Sequence, residues 1–141
     1  MKPEQPDSSN PEKRPPDPDQ LARASVLASA AIDRKAEDLI ALDIRGLTSL
    51  ADTFLIASGS SDRQVRAIAD AVLDAAREAG IRTLGSEGLD EGRWALLDFG
   101  DAIFHVFHED VRGHYDLERL WADAPQLELE PAEVKPRKVK A

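Results

Sequence analysis

Imidazole, carboxylate and indole side chains crowd the stretch from Trp94 to Trp121, and they are the groups in this chain best suited to chemistry. His105, His108 and His114 lie there with Glu109 and Asp110, residue types that ligate divalent metals. In an extended strand, residues three apart point to opposite faces, so His105 and His108 converge poorly. The spacing therefore argues against a metal site, and no cofactor is expected. No activated-nucleophile motif, complete phosphate loop or dinucleotide fingerprint occurs. No catalytic residue is assigned, and the chain reads as non-enzymatic.

Gly59-Ser60-Ser61 is a second candidate, lying between an apolar run and a helical one. Free backbone N–H groups at such a helix start can hold a phosphate. The turn is similar to the Gly-Ser turn of nucleotidyltransferases, in which metal-binding carboxylates sit on a neighbouring strand, and Asp98 could be one of them. No Asp-x-Asp pair follows it, however, and two-metal phosphoryl transfer needs several convergent carboxylates. A nucleotidyltransferase-fold enzyme is the alternative function. The structural alternative is a helix cap with a tight turn.

The elements that must position these groups follow from patterning. Gly100-Asp101 reads as a tight hairpin turn between two apolar runs. With those two residues as the loop, Ala95, Leu97 and Phe99 share a face with Val106, Phe104 and Ala102, and that face is core. The other face sets Trp94, Leu96 and Asp98 opposite Phe107, His105 and Ile103, a mixture suited to a contact surface. Either the last helix covers it with Leu120 and Trp121, or its aromatic residues anchor a partner within a ring of Glu87, Asp98, Asp101 and Glu109.

Upstream, Asp17-Pro18-Asp19-Gln20 carries helix-start signals before an Ala-rich helix from Leu21 to about Ala36. Leu39–Ile44 and Thr53–Ala57 read as strands. Ser61 and Gln64 form a capping box for a helix whose Val65, Ile68, Ala69, Val72, Leu73 and Ala76 recur at helical spacing, with Gly80 as its stop. Ile81–Leu84 reads as a short strand, and the glycines at 85, 88 and 92 as an irregular loop. The final helix runs from about Val111 to Ala124. The fold class is α/β: one small domain with a mixed sheet of about five strands flanked by helices. Residues 1–19 are expected to be a disordered Pro-rich tail, 20–125 the domain, and 126–141 a disordered tail with a basic end.

Charge narrows the partners. The chain carries −9; residues 1–19 carry −2 and residues 131–141 carry +3, so the stretch between them carries −10. Such a body is repelled by phosphate backbones and attracts basic proteins. Direct nucleic-acid contact is expected to be slight and confined to the basic C-terminal tail. There is no cysteine, no apolar run of membrane-spanning length, and an N-terminus unlike a signal or transit peptide. The expected location is the cytoplasm.

Taken in order, Lys35-Ala36-Glu37-Asp38, Leu42-Asp43-Ile44-Arg45, Ala51 to Ser61, Arg63-Gln64-Val65, Ala67 to Asp70, Glu87-Gly88, Trp94, Asp98 to Asp101, His105-Val106-Phe107, Arg112, Tyr115 and Leu117 to Trp121 resemble the ribosomal silencing factor family, also called iojap-like. The resemblance spans about residues 21–123. It implies a nucleotidyltransferase-like fold without that activity. It also implies binding to the large ribosomal subunit through its ribosomal protein number fourteen, which blocks joining of the small subunit and represses translation when nutrients are scarce. Organelle relatives act in large-subunit assembly, a further alternative, and a homodimer using the hairpin face is possible. The family pattern carries over at Trp94, Asp98, Asp101, His105, Arg112, Tyr115, Glu118 and Trp121. Arg112 and Tyr115 are open to either a contact or a core role. All of these carried-over residues but Trp121, together with Glu109 from the acidic ring, are the partner-binding candidates. Trp94 and His105 are expected to touch the partner, and Asp98, Asp101 and Glu118 to answer its lysines or arginines. Leu117, Leu120 and Trp121 are expected to be core. Phe104 and Thr53 depart from the family's usual residues, and both are compatible with an apolar setting.

Overall fold

Asp17 opens the first helix as its position before proline suggests: its side chain accepts a hydrogen bond from the Asp19 N–H at 3.0 Å. In the computed structural model, the described residues are 15, 17–115, 119 and 121–129, with side chains described for all of these except 113–115. Helix α1 spans Pro18–Asp33, so its first turn includes residues assigned above to the tail. Strands β1 (Glu37–Asp43) and β2 (Thr53–Gly59) follow, then α2 (Asp62–Glu78), β3 (Gly85–Glu87), β4 (Trp94–Asp98), β5 (Ala102–His108) and α3 (Glu109–Tyr115).

The five strands form one sheet in the order β1-β2-β5-β4-β3. Only β2 and β5 run parallel, joined through α2 and the β3–β4 hairpin, and the other neighbours are antiparallel. The sheet is mixed and lies within a single small α/β domain. Helices α1 and α2 cover one face, where Leu27, Val65, Ile68 and Val72 pack against Leu55, Leu97, Phe104 and Val106. The β4–β5 register is Ala95↔Val106 and Leu97↔Phe104, and the Phe99 N–H donates to Ala102 O, as a two-residue loop requires.

Several boundaries differ from the sequence reading, among them the end of α1 at Asp33, the span of β1 over Glu37–Asp43 and the extension of β2 to Gly59. Ile81 does not begin a strand: its N–H bonds back to Ala76 O and completes the end of α2. Pairing starts at Leu84, whose N–H donates to Asp98 O, and the third strand falls on Gly85–Glu87, read above as loop. The last helix starts at Glu109 rather than Val111, and residues 121–123 form a turn short of the expected end. Gln126 and Leu127, expected beyond the domain, lie along β1. Leu127 donates to Ala41 O, Pro125 O accepts from Asp43, and Leu127 is buried in the core. Edge β1 is thereby partly covered.

A buried polar knot locks α1 to the turn after β1. Gln20 Nε2 donates to Asp43 Oδ1, to Thr53 Oγ1 and to Asp52 O. Arg45 grips both Asp43 oxygens, through Nε at 2.9 Å and Nη2 at 2.7 Å. Burial pushes the Asp43 carboxyl up, but the hydrogen bonds from Arg45 and Gln20 outweigh it and hold the group below its usual 3.8. Asp43→Ala, which removes the carboxylate that Arg45 grips, is expected to cost about 3 kcal/mol in urea unfolding. The Asp43 contribution is present above pH 3.8 and is lost as pH falls through the lowered value, so the gap between wild type and variant narrows in acid.

Candidate functional site

Alternation along the strands sends every second residue to the sheet face opposite α1 and α2. Three rows cross that face. Leu42, Phe54, Ile103 and Asp98 form one, Ile40, Ile56, His105, Leu96 and Glu87 the next, and Ser58, Phe107 and Trp94 the third. The first two rows are apolar over β1 and β2 and become acidic toward β4 and β3, while the third runs from Ser58 to Trp94. Val111, Trp121 and Ala124 pack on the apolar part, with Trp121 edge-on to Phe54 at 5.4 Å. The two readings of this face thus apply to different parts of it. The C-terminal segment covers the β1–β2 side, while Trp94, Leu96 and Asp98 are only half-buried and Glu87 is exposed.

Trp94 is fixed within this surface. Its indole stacks on Phe107 with ring centres 4.9 Å apart, and its Nε1–H donates to His105 Nδ1 at 3.1 Å. His105 is only 5 % exposed and meets Phe54 edge-on at 5.0 Å. Accepting at Nδ1 leaves the neutral ring's proton on Nε2, which has no partner among the described residues. Burial lowers its pKa from 6.5 to about 4. The structure therefore puts His105 beside Trp94 on the neighbouring strand, buried, and not at the surface where direct contact was expected. Arg112 joins the same end of the face, donating from Nη1 to Ser58 Oγ at 2.8 Å.

The remaining candidates are spread out. Asp98 lies four residues along β4 from Trp94, about 13 Å away. Its Oδ1 accepts from the Gly100 N–H at 2.9 Å and shapes the hairpin turn. Asp101 lies in that turn and pairs with Arg23 of α1 at 2.7 Å, a contact 78 residues distant in sequence that local patterning could not reveal. Glu109 is exposed at the start of α3. Tyr115 closes α3, with its side chain outside the described residues. Glu118, Leu117 and Leu120 also lie outside them. Leu96 and Ser58 were not singled out as site residues, although period-two alternation from Trp94 and from Phe54 places both on this face.

The Gly59-Ser60-Ser61 turn is engaged within the protein. Gln64 Oε1 accepts from Ser60 N and Oγ, and Ser61 Oγ accepts from Gln64 N. A Cβ on Gly59 would stand 3.0 Å from Val65 Cγ2, so the glycine permits close packing of strand and helix. Asp98 is five rungs from this turn along β5, about 16 Å, and cannot share an ion with it. His105 and His108 diverge: the second lies 3.8 Å from Asp62 on the α2 side. Among the described residues no group of three or more His, Cys, Asp or Glu could hold a metal, and no helix is long and apolar enough to cross a membrane.

The buried neutral imidazole makes stability pH-dependent. The unfolded chain binds a proton near pH 6.5 that folded His105 refuses until about pH 4, so stability falls as pH drops across that window, by roughly 3 kcal/mol in full. Thermal unfolding of His105→Phe is expected to show a flatter profile between those limits. An unchanged slope would mean that other groups set it.

Known proteins agree with this architecture. Residues 17–141 match the family model described as "Ribosomal silencing factor during starvation". Over 105 residues the chain is 50 % identical to the Ribosomal silencing factor RsfS of Bacillus subtilis, a match covering 74 % of this chain and 89 % of that one. The protein of the same name from Halalkalibacterium halodurans is 48 % identical over 105 residues, covering 74 % and 90 %. A crystal structure of a Chromobacterium violaceum protein superposes with a TM-score of 0.71 at 42 % identity, covering 72 % of this chain and 84 % of that one. The Bacillus and Halalkalibacterium relatives are named as ribosomal silencing factors and not for a reaction. The chain belongs to the ribosomal silencing factor family.

Proposed function

We propose that the β4–β3 side of the second sheet face docks a basic protein of the large ribosomal subunit, its ribosomal protein number fourteen. Held there, the domain sterically blocks the small subunit from joining and so represses translation in the cytoplasm under nutrient limitation. The observation that carries this reading is the juxtaposition on one face of Trp94, already fixed by His105 and Phe107, with half-buried Leu96 and the carboxylates of Asp98 and Glu87. A rigid aromatic anchor loses little entropy on binding, and an acidic rim speeds encounter with a cationic partner. In this reading Arg112 and Glu109 border the Trp94 end, Asp101 borders the hairpin end, and Tyr115 and Glu118 extend the contact from the last helix.

Co-sedimentation with isolated large subunits tests it. Trp94→Ala is expected to weaken binding by at least tenfold, about 1.4 kcal/mol, as truncation of an interface anchor does. Reversing Asp98 and Asp101 to lysine is expected to cut binding and to flatten its salt dependence. Unchanged affinity in both variants, with the circular dichroism spectrum intact, would remove this face as the interface.

A further inference from the structure

An apolar groove of about 460 Å³ runs between α1 and the outer side of β1. Ala28 and Ile32 of α1, Leu39 and Ala41 of β1, and Leu127 and Leu129 line it. Ile32, Leu39 and Leu129 are half-buried, so the groove leaves aliphatic surface in water. It opens because the segment from Pro125 pairs with β1 and then departs from it. The Asp43 N–H donates to Pro125 O and the Leu127 N–H to Ala41 O, around the bridge Leu42↔Gln126. Among the described residues, neither Glu128 nor Leu129 makes a backbone hydrogen bond to β1. Leu129, the last described residue, therefore stands on the rim of the groove.

We infer that the groove docks this chain's own residues 132–138, which turn back at Pro131 and seat Val134 between Ile32, Leu39 and Leu129. Leu127 and Leu129 face the core, and a plain continuation of that alternation would put Pro131 and Glu133 on the same side. Proline has no N–H for a ladder on β1, and a carboxylate is costly against aliphatic side chains. Extension as a sixth strand is thus disfavoured, whereas proline suits a reversal of the chain. Val134 lies five residues beyond Leu129, within a reach of at most about 18 Å. So short a tether gives a millimolar effective concentration, and a weak contact then suffices. Charge acts in the same sense. Asp33, Glu37, Asp38 and Glu128 adjoin or line the groove against Arg34 and Lys35, four acids to two bases, while residues 131–141 carry +3. Docking therefore lays Lys135, Arg137 and Lys138 along an acidic rim and covers the part of the β1 edge that Gln126 and Leu127 leave open.

The test is methyl–methyl NOE spectroscopy of the full chain, with a mixture of labelled and unlabelled chains to separate contacts within a molecule from contacts between copies. NOEs from the Val134 methyls to those of Ile32 and Leu39 are expected within one chain. Val134→Asp is expected to abolish docking and to shift the backbone amides of Ala28, Leu39 and Leu129, with the Trp94 indole resonance unmoved. Replacing Lys135, Arg137 and Lys138 together by glutamate is expected to move the same amides in the same direction, by less, and the difference from wild type to shrink in high salt. Absence of the NOEs, with the shifts of both variants confined to residues 130–140, would overturn the proposal. NOEs seen only between labelled and unlabelled chains would give the groove to a second copy and overturn it equally. The samples contain no ribosomes, so the outcome is independent of large-subunit binding.

Discussion

The parallel pairing of β2 with β5 is the constraint on which the rest of the structure hangs. All seven β2 residues are buried, and they pair in continuous register with β5 from Thr53↔Ala102 to Gly59↔His108. Two such strands cannot be joined by a tight turn, so the chain between them must cross over, and α2 with the β3–β4 hairpin does so. The crossover works only if α2 can leave β2 closely, which Gly59 allows by packing against Val65. Because β5 is central, β4 can add on its far side, and that addition brings Trp94 beside Phe107 and His105. The candidate surface is a consequence of the crossover.

The two sheet faces are unequally covered among the described residues. The face under α1 and α2 is closed by aliphatic side chains, with the Gln20–Asp43 knot at its edge. On the other face, among the described residues, Val111, Trp121 and Ala124 pack over β1, β2 and β5. Its β4–β3 side keeps an indole, an aliphatic side chain and carboxylates within reach of a partner. His105 supports this arrangement from the neighbouring strand. As a neutral ring it offers Trp94 an acceptor, a role a protonated ring could not fill because both its nitrogens would be donors.

Much of this was legible in local sequence. Period-two alternation about Gly100-Asp101 specified both hairpin faces and their register, because a one-residue slip would have turned Phe104 and Val106 outward. Helical spacing and the Ser61–Gln64 cap specified α2. What sequence could not supply were contacts set by tertiary geometry. Arg23 finding Asp101, Gln20 reaching Asp43 and Leu127 lying along β1 each join segments tens of residues apart. Strand β3 escaped because Gly85, Ser86 and Glu87 are exposed and polar, so no hydrophobic pattern marks them. His105 appeared as a contact group because its type suits a surface, whereas its depth depends on Phe54 and Phe107 closing around it.

The role of the family fold in this chain rests on whether occupying the large subunit prevents its union with the small one. Light scattering of purified subunits at fixed magnesium measures that directly, with the protein added before or after mixing. Steric occlusion predicts that pre-incubation with the large subunit lowers the yield of joined ribosomes in proportion to occupancy, while pre-incubation with the small subunit alone has no such effect. Large subunits saturated with the protein that still join at the normal yield would contradict it.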